Sequence, residues 1–213
     1  MDESFAVFLK GFGPPIAKRE VDEAKLAQYA GELPALLRGY WKEHGFTGYA
    51  DGLFWTVDPA DYTLILETAV EGTPLAAQDT YHVIARTAFG QLFAWGKRTG
   101  VSLRVDIPHG LLFPSGTTLE QLGGEDIAVE SFFLSQQQRL LDFADDAKKP
   151  LFARARKKLG RLAADEMYGF EPALALGGPA TFANLQKVKI LPHLQILLAL
   201  GPLRVLENPF GKR

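Results

Sequence analysis

Five short segments with strand propensity constrain the fold more than any other feature of the sequence. They are rich in β-branched and aromatic residues, and they cover residues 53–57, 81–87, 91–95, 101–107 and 111–113. Gly90 and Gly100 stand at the bends between the central three, and Asp51-Gly52 is a turn signal ahead of the first. The middle of the chain is therefore predicted to be a series of successive strands.

Helical spacing dominates the first 45 residues. One apolar series at i, i+3, i+4 and i+7 predicts a short amphipathic helix: Phe5, Phe8, Leu9 and Phe12. A second, stronger series predicts another helix, with the stripe Leu33, Leu36, Leu37, Tyr40 and Trp41. Pro34 suits the first turn of that helix, because its missing N–H has no helical partner there, and Gly45 ends it.

The segment after the strands is predicted to be mainly helical. Predicted helices cover residues 125–135, 151–159 and 192–200, with one strand over 172–176. Ser, Thr, Gly and Pro cluster in residues 114–126, which is typical of a linker. We therefore predict the α+β class, with one domain over residues 1–118 and a smaller one over 119–213.

The sequence carries no catalytic or metal-binding motif. There is no Walker loop, no G-x-G-x-x-G after a strand, no H-E-x-x-H and no G-x-S-x-G. With no cysteine, disulfides, thiolate metal sites and cysteine nucleophiles are excluded. No two histidines lie three to five residues apart among His44, His82, His109 and His193. We therefore expect no catalytic residue, no metal and no cofactor, and a protein that is not an enzyme.

Neither a targeting signal nor a membrane span is evident. Asp2 and Glu3 precede the first apolar stretch, whereas a secretory signal starts with basic residues. No run approaches the ~20 apolar residues that a membrane-spanning helix needs. We therefore expect a cytoplasmic protein that has no contact with a membrane.

Charge is distributed very unevenly along the chain. Residues 1–146 contain 11 Lys/Arg against 21 Asp/Glu, a net charge of −10, and residues 147–213 contain 12 against 4, a net charge of +8. Residues 43–85 hold seven acids and no Lys or Arg, and residues 148–161 hold seven bases and no acid. Such asymmetry favours a charged partner. Mutual neutralisation of the two segments, or solvated faces, would explain it equally well.

Two parts of the chain resemble known families. Residues in FLKGFGPP, LPALLRGYWKEHGFTGYADGLFWTVDPADY and YHVIARTAFGQLFAWG resemble the GAD-like domain, over about residues 5–100. LFARARKKLGRLAADEMYGFEPALALGG and NLQKVKILPHLQILLAL are similar to the domain that often follows it, over about 145–205. The tandem resembles immunity proteins of type VI secretion DNase toxins. The resemblance implies an antiparallel or mixed sheet with flanking helices, and a protein that binds and silences a co-produced nuclease by forming a stoichiometric complex.

The acidic segment is the predicted contact surface for that partner. A nuclease needs a cationic surface to bind phosphates, and an acidic face competes for such a surface and accelerates association. Tight binding also needs desolvated anchors, for which aromatic residues are favoured. The predicted partner-binding residues are four acids and two aromatics: Asp58, Asp61, Glu67, Glu71, Tyr49 and Trp55.

Two other function classes remain open on the sequence. One is a small-ligand-binding or regulatory module, which would show a deep apolar pocket with a few convergent polar groups. The other is an enzyme that uses His82 or His109 with an acid, which would show a buried histidine–carboxylate pair in a cleft.

Overall fold

A computed structural model describes residues 2–206 of the chain as ten strands and ten α-helices. The strands are β1 (Ile16–Arg19), β2 (Phe46–Tyr49), β3 (Phe54–Thr56), β4 (Tyr81–Thr87), β5 (Gln91–Gly96), β6 (Gly100–Asp106), β7 (Leu111–Pro114), β8 (Glu166–Phe170), β9 (Leu185–Lys189) and β10 (Arg204–Val205). The helices are α1 (Glu3–Phe12), α2 (Glu23–Gln28), α3 (Ala35–His44), α4 (Thr63–Val70), α5 (Leu75–Gln78), α6 (Leu119–Leu122), α7 (Glu125–Ser135), α8 (Gln138–Leu141), α9 (Phe152–Leu159) and α10 (Ile190–Leu198).

Eight of these strands form one mixed sheet. Its order is β1-β2-β3-β4-β5-β6-β7-β10, so the first seven strands follow one another through the sheet as they do along the chain. Neighbours from β1 to β7 are antiparallel, and β10 joins β7 in parallel. Gly90 and Gly100 have positive φ at the turns that join β4, β5 and β6, as the sequence predicted. The predicted α+β class is confirmed.

The two predicted N-terminal helices are confirmed. Asp2 caps α1 through its side chain, and the buried faces of Phe5 and Phe8 pack edge-on against Phe133 of α7. At the end of α3, Gly45 has φ +73°, and a Cβ there would collide with the carbonyl oxygen of Arg19. Only glycine therefore lets β2 leave the helix so close to β1.

The C-terminal segment differs from prediction in its strands. Residues 172–176 form no strand, and Leu174–Leu176 is a 3₁₀ turn. The strands of this segment are β8 and β9, which pair as an antiparallel hairpin. Proline lacks the N–H that a strand interior donates, which explains why β8 ends before Pro172. The predicted linker also contains α6, with a capping box between Thr118 and Gln121.

The two halves of the chain contact each other at several places. β10 extends the sheet of the first half, and Leu206 N donates to Leu112 O at 2.8 Å. Tyr168 N of β8 donates to Ala88 O at 2.9 Å. The domain boundary predicted between residues 118 and 119 falls at the start of α6, and it stays a prediction. None of the helices between residues 2 and 206 is both long and apolar enough to cross a membrane.

Candidate functional site

The two predicted aromatic anchors are core residues. Tyr49 has none of its surface exposed and Trp55 has 1% exposed. Trp55 Nε1 donates to Gly52 O at 2.7 Å, and the Tyr49 ring lies edge-on to Phe8. No surface of Tyr49 is accessible to a partner, and Trp55 exposes only a small patch, in the lining of a concave site. The expectation that they anchor a partner is therefore corrected: they pack the sheet instead.

Asp58 is also buried, with 5% of its surface exposed. Its carboxylate accepts hydrogen bonds from the hydroxyl of Tyr29 and from Ala60 N, the latter at 3.1 Å. Lys25 Nζ lies 2.8 Å from the same carboxylate, and Arg19 lies 3.6 Å away. Burial, then the hydrogen bond to Asp58, raises the pKa of the Tyr29 hydroxyl. The structure therefore makes Asp58 an internal cap and ion-pair centre, not the rim residue that the sequence predicted.

The other three predicted acids are exposed. Asp61 pairs with Arg19 at 3.0 Å, and both side chains are about half exposed. Glu67 lies on α4 and Glu71 directly follows it, one turn further along. Neither has an ion-pair partner within 4.0 Å among the residues that the structure describes. Their charge is therefore open to a partner.

Glu67 and Glu71 line a groove of about 670 Å³ that α4, α5 and β4 enclose. We name it the acidic groove. Asp79 also lines it, whereas no Lys or Arg of the described chain does. Thr99 and the backbone of Arg98 hold the Asp79 carboxylate, so the two glutamates carry the open charge. Leu64 at its edge is 60% exposed.

A second concave site of about 340 Å³ lies where the two halves meet, and we name it the junction cleft. Its floor is mostly apolar and is formed by Phe46, Trp55, Val57, Tyr62, Ile190, Leu191 and Pro192. Two exposed ion pairs stand in its lining. One joins Arg19 to Asp61, and the other joins Lys189 to Asp165 at 2.6 Å. Sequence reasoning missed this cleft, because its walls come from segments more than 100 residues apart.

A buried cation lies behind the junction cleft. Arg86 of β4 has none of its surface exposed, and its guanidinium lies 4.8 Å from the centre of the Trp55 ring. It donates to Thr87 O at 3.2 Å and to Ala164 O at 2.9 Å, while its Nε has no hydrogen-bond partner in the described part of the chain. Burial lowers the pKa of Arg86, and the adjacent Tyr62 opposes that shift. The contact with Ala164 joins β4 to the chain entering β8.

The basic segment is partly neutralised within the fold. Arg154 of α9 pairs with Asp145 at 2.6 Å, and Arg156 pairs with Asp51 of the acidic segment. The guanidinium of Arg154 and the ammonium of Lys158 also lie over the Phe182 ring. Mutual neutralisation thus accounts for part of the charge asymmetry, and the glutamates of the acidic groove remain outside it.

The four histidines lie on four different elements of the fold. His109 Nδ1 lies 2.9 Å from Asp106, but its ring stacks on Phe143 and lines neither the acidic groove nor the junction cleft. His82 lines the acidic groove, 3.9 Å from Glu32, which exceeds hydrogen-bonding distance. Among residues 2–206 no three His, Asp or Glu side chains are grouped to hold a metal ion. The geometry offers surfaces for binding more than a constellation for acid–base chemistry.

Comparison with protein families identifies the family to which the N-terminal half is related. The model of the GAD-like domain matches residues 3–109, half of the chain. The chain belongs to the GAD-like domain family. Residues 126–201 match the model described as T6SS immunity protein Tdi1, C-terminal, which supports a role in type VI secretion immunity. The tandem that the sequence suggested is therefore confirmed.

One solved structure shares the whole fold of this GAD-like protein. It is the crystal structure of Atu4351 from Agrobacterium tumefaciens, which is 24% identical, with a TM-score of 0.85. The match covers 98% of this chain and 93% of that one, so both halves and their arrangement recur together. No curated protein matches the sequence.

Proposed function

We propose that this chain is an immunity protein that binds a cognate type VI secretion toxin, a DNase, and blocks it in a stoichiometric complex in the cytoplasm. The match of residues 126–201 to an immunity-protein family carries the proposal. In this reading the chain performs no reaction of its own, and its effect is to cover the surface on which the toxin binds or cleaves DNA.

The acidic groove is suited to the first stage of that binding. A DNase attracts DNA with a cationic surface, and the same surface attracts Glu67 and Glu71, whose carboxylates have no ion-pair partner within residues 2–206. Complementary charge raises the association rate by about 10- to 1,000-fold at low ionic strength. Fast capture favours protection, because a toxin molecule is harmful from the moment it is free.

Co-expression tests the proposal directly. Cells would produce a nuclease-like toxin encoded beside this gene, with or without this chain, and survival would be scored. We expect the chain to restore survival and to co-purify with the toxin at a fixed ratio. Equal killing in both cultures would refute the function.

Charge reversal tests the contribution of the acidic groove. Reversing Glu67 and Glu71 to Lys is expected to slow association with the toxin about tenfold at low salt and to flatten its salt dependence. Reversal of Glu120 and Glu171, two exposed acids outside the groove, is the matched control, because it changes the net charge equally. Equal association rates for both double variants would remove the steering role of the groove.

The junction cleft favours a second candidate, a small-ligand-binding module without catalysis. Its size, apolar floor and few polar groups are those of a small-molecule site. Mass spectrometry of the purified chain under native conditions tests this candidate. A bound compound is the expected result, and a chain without one would contradict the candidate.

A further inference from the structure

The junction cleft is an apolar cavity that the fold leaves open. It has a volume of about 340 Å³, and side chains such as Phe46, Val57 and Leu191 give it a largely apolar lining. An open apolar floor gains free energy when another apolar group covers it. The cleft is thus suited to receive a large apolar side chain.

Its walls are fixed before anything binds. Arg86 holds the Ala164 carbonyl from inside the sheet, and Ile190 N donates to Asp165 O at 2.9 Å. These bonds tie α10 and the chain entering β8 to each other and to β4. A preformed site does not have to be ordered on binding, which lowers the entropic cost of the complex. Pockets of this kind hold the anchor residues of tight protein interfaces.

The charges in the lining select a particular kind of partner. Arg19 and Lys189 face the cleft together with Asp61 and Asp165, as two exposed ion pairs. The third acid of the lining, Asp58, is buried and already paired with Lys25. The two acids repel a polyanion such as DNA, and the two cations repel a purely basic segment. A segment that carries an apolar side chain between one acidic and one basic residue can pair with both signs.

The cleft and the acidic groove share a wall. Asp61 and Tyr62 line the cleft, whereas Pro59 and Leu64, from the same short stretch of chain, line the groove. A partner that lies across this stretch reaches both sites at once. The groove then supplies electrostatic attraction, which acts mainly on association, and the cleft supplies desolvated contact, which acts mainly on dissociation.

Building on the proposed function, we infer that the junction cleft is the anchor site for the toxin and takes one large apolar side chain of the toxin, flanked by an acidic and a basic residue.

Filling the cleft tests this inference. Ala164 is exposed and lines the cleft, so Ala164→Trp places a large side chain in it and leaves the backbone carbonyl on Arg86. Ala163→Trp is the matched control, because Ala163 is exposed next to it but outside the lining. Binding to a catalytically inactivated toxin would be measured by biolayer interferometry. We expect Ala164→Trp to raise the dissociation rate about 30-fold, the loss of one hot-spot contact, with association within about threefold of the unmodified chain.

A second pair of variants guards against misfolding. If Ala164→Trp lowers the melting temperature relative to Ala163→Trp, Pro192→Trp fills the cleft from α10, with exposed Gln195 changed to Trp as its control. Equal dissociation rates for the filled and control variants would overturn the anchor site and leave the immunity function intact. Failure of the unmodified chain to capture the toxin would refute the function itself. A compound that native mass spectrometry finds on the unmodified chain, and not on the filled variant, would make the cleft a small-molecule site and overturn the inference.

Discussion

Replacement of Asp58 by alanine should destabilise the fold far more than replacement of Asp61, although the two acids lie three residues apart. Asp58→Ala removes the cap on Ala60 N, a loss of about 1 kcal/mol. It also leaves the buried Tyr29 hydroxyl without its acceptor, a loss of about 1–3 kcal/mol. Lys25 is partly exposed and can regain water, so its lost pairing adds little. We expect the free energy of unfolding to fall by about 3 kcal/mol in total.

Urea unfolding measures this difference, and the chain supplies its own probe. All three tryptophans, Trp41, Trp55 and Trp95, are buried, so their fluorescence reports the loss of the core. Asp61→Ala is the matched control and should change stability by less than about 0.5 kcal/mol, because its pair with Arg19 is exposed. Equal midpoints for Asp58→Ala and Asp61→Ala, with equal slopes, would refute the structural role of Asp58.

Three further outcomes follow from single positions. Burial against Phe5 lowers the pKa of His44, so the protonated form is disfavoured in the fold and stability falls as pH drops below about 6.5. His44→Gln should make this fall in stability smaller, as acid unfolding curves would show. The hydrogen bond that His109 Nδ1 donates to Asp106 raises the pKa of His109, so its stabilisation is present at low pH and is lost as pH rises through the raised pKa. An NMR titration should show a lower pKa of His109 in Asp106→Asn. Gly45→Ala should cost about 1–3 kcal/mol in thermal unfolding, because φ is positive and the Cβ meets backbone.

Local signals in the sequence were sufficient for most of the fold. The prediction of a helix that ends at Gly45, and of three strands bent at Gly90 and Gly100, depends on apolar periodicity and on glycine at positive φ. Helix α7 was predicted with the bounds that the structure has. These features are encoded within a few neighbouring residues, so no knowledge of distant contacts is needed to find them.

Strands that exist because of distant partners were missed. β1 pairs with β2 across the intervening residues 20–45, and β10 has only two residues and forms against β7. The β8–β9 hairpin has a connection that contains two 3₁₀ turns, so no short turn signal marks it. Sequence periodicity cannot report such pairings, since they depend on where the rest of the chain places an open edge.

The errors at the predicted site have one physical cause. β2 and β3 are buried along their whole length, so their aromatic residues have no solvent face. Alternation of apolar and polar residues indicates a sheet with one solvated face, whereas these strands are covered on both. The near-continuous apolar run LFWTV, residues 53–57, was the available signal for burial on both sides of β3. Tyr49 and Trp55 were instead predicted to be accessible because they lie within the acidic segment, residues 43–85.

The buried ionic groups bear on function more than on stability. Arg86 and Asp58 belong to the same region: Asp58 lines the junction cleft, and Arg86 lies behind Trp55 and Ala164, which also line it. Burying a charged side chain costs desolvation free energy, whereas an apolar side chain of similar volume carries no such cost. Selection for stability alone would therefore not favour Arg86 or Asp58 at these positions. Both groups hold cleft walls in place through bonds of fixed direction, which apolar packing cannot supply. Their position therefore supports a site whose shape matters for binding a partner.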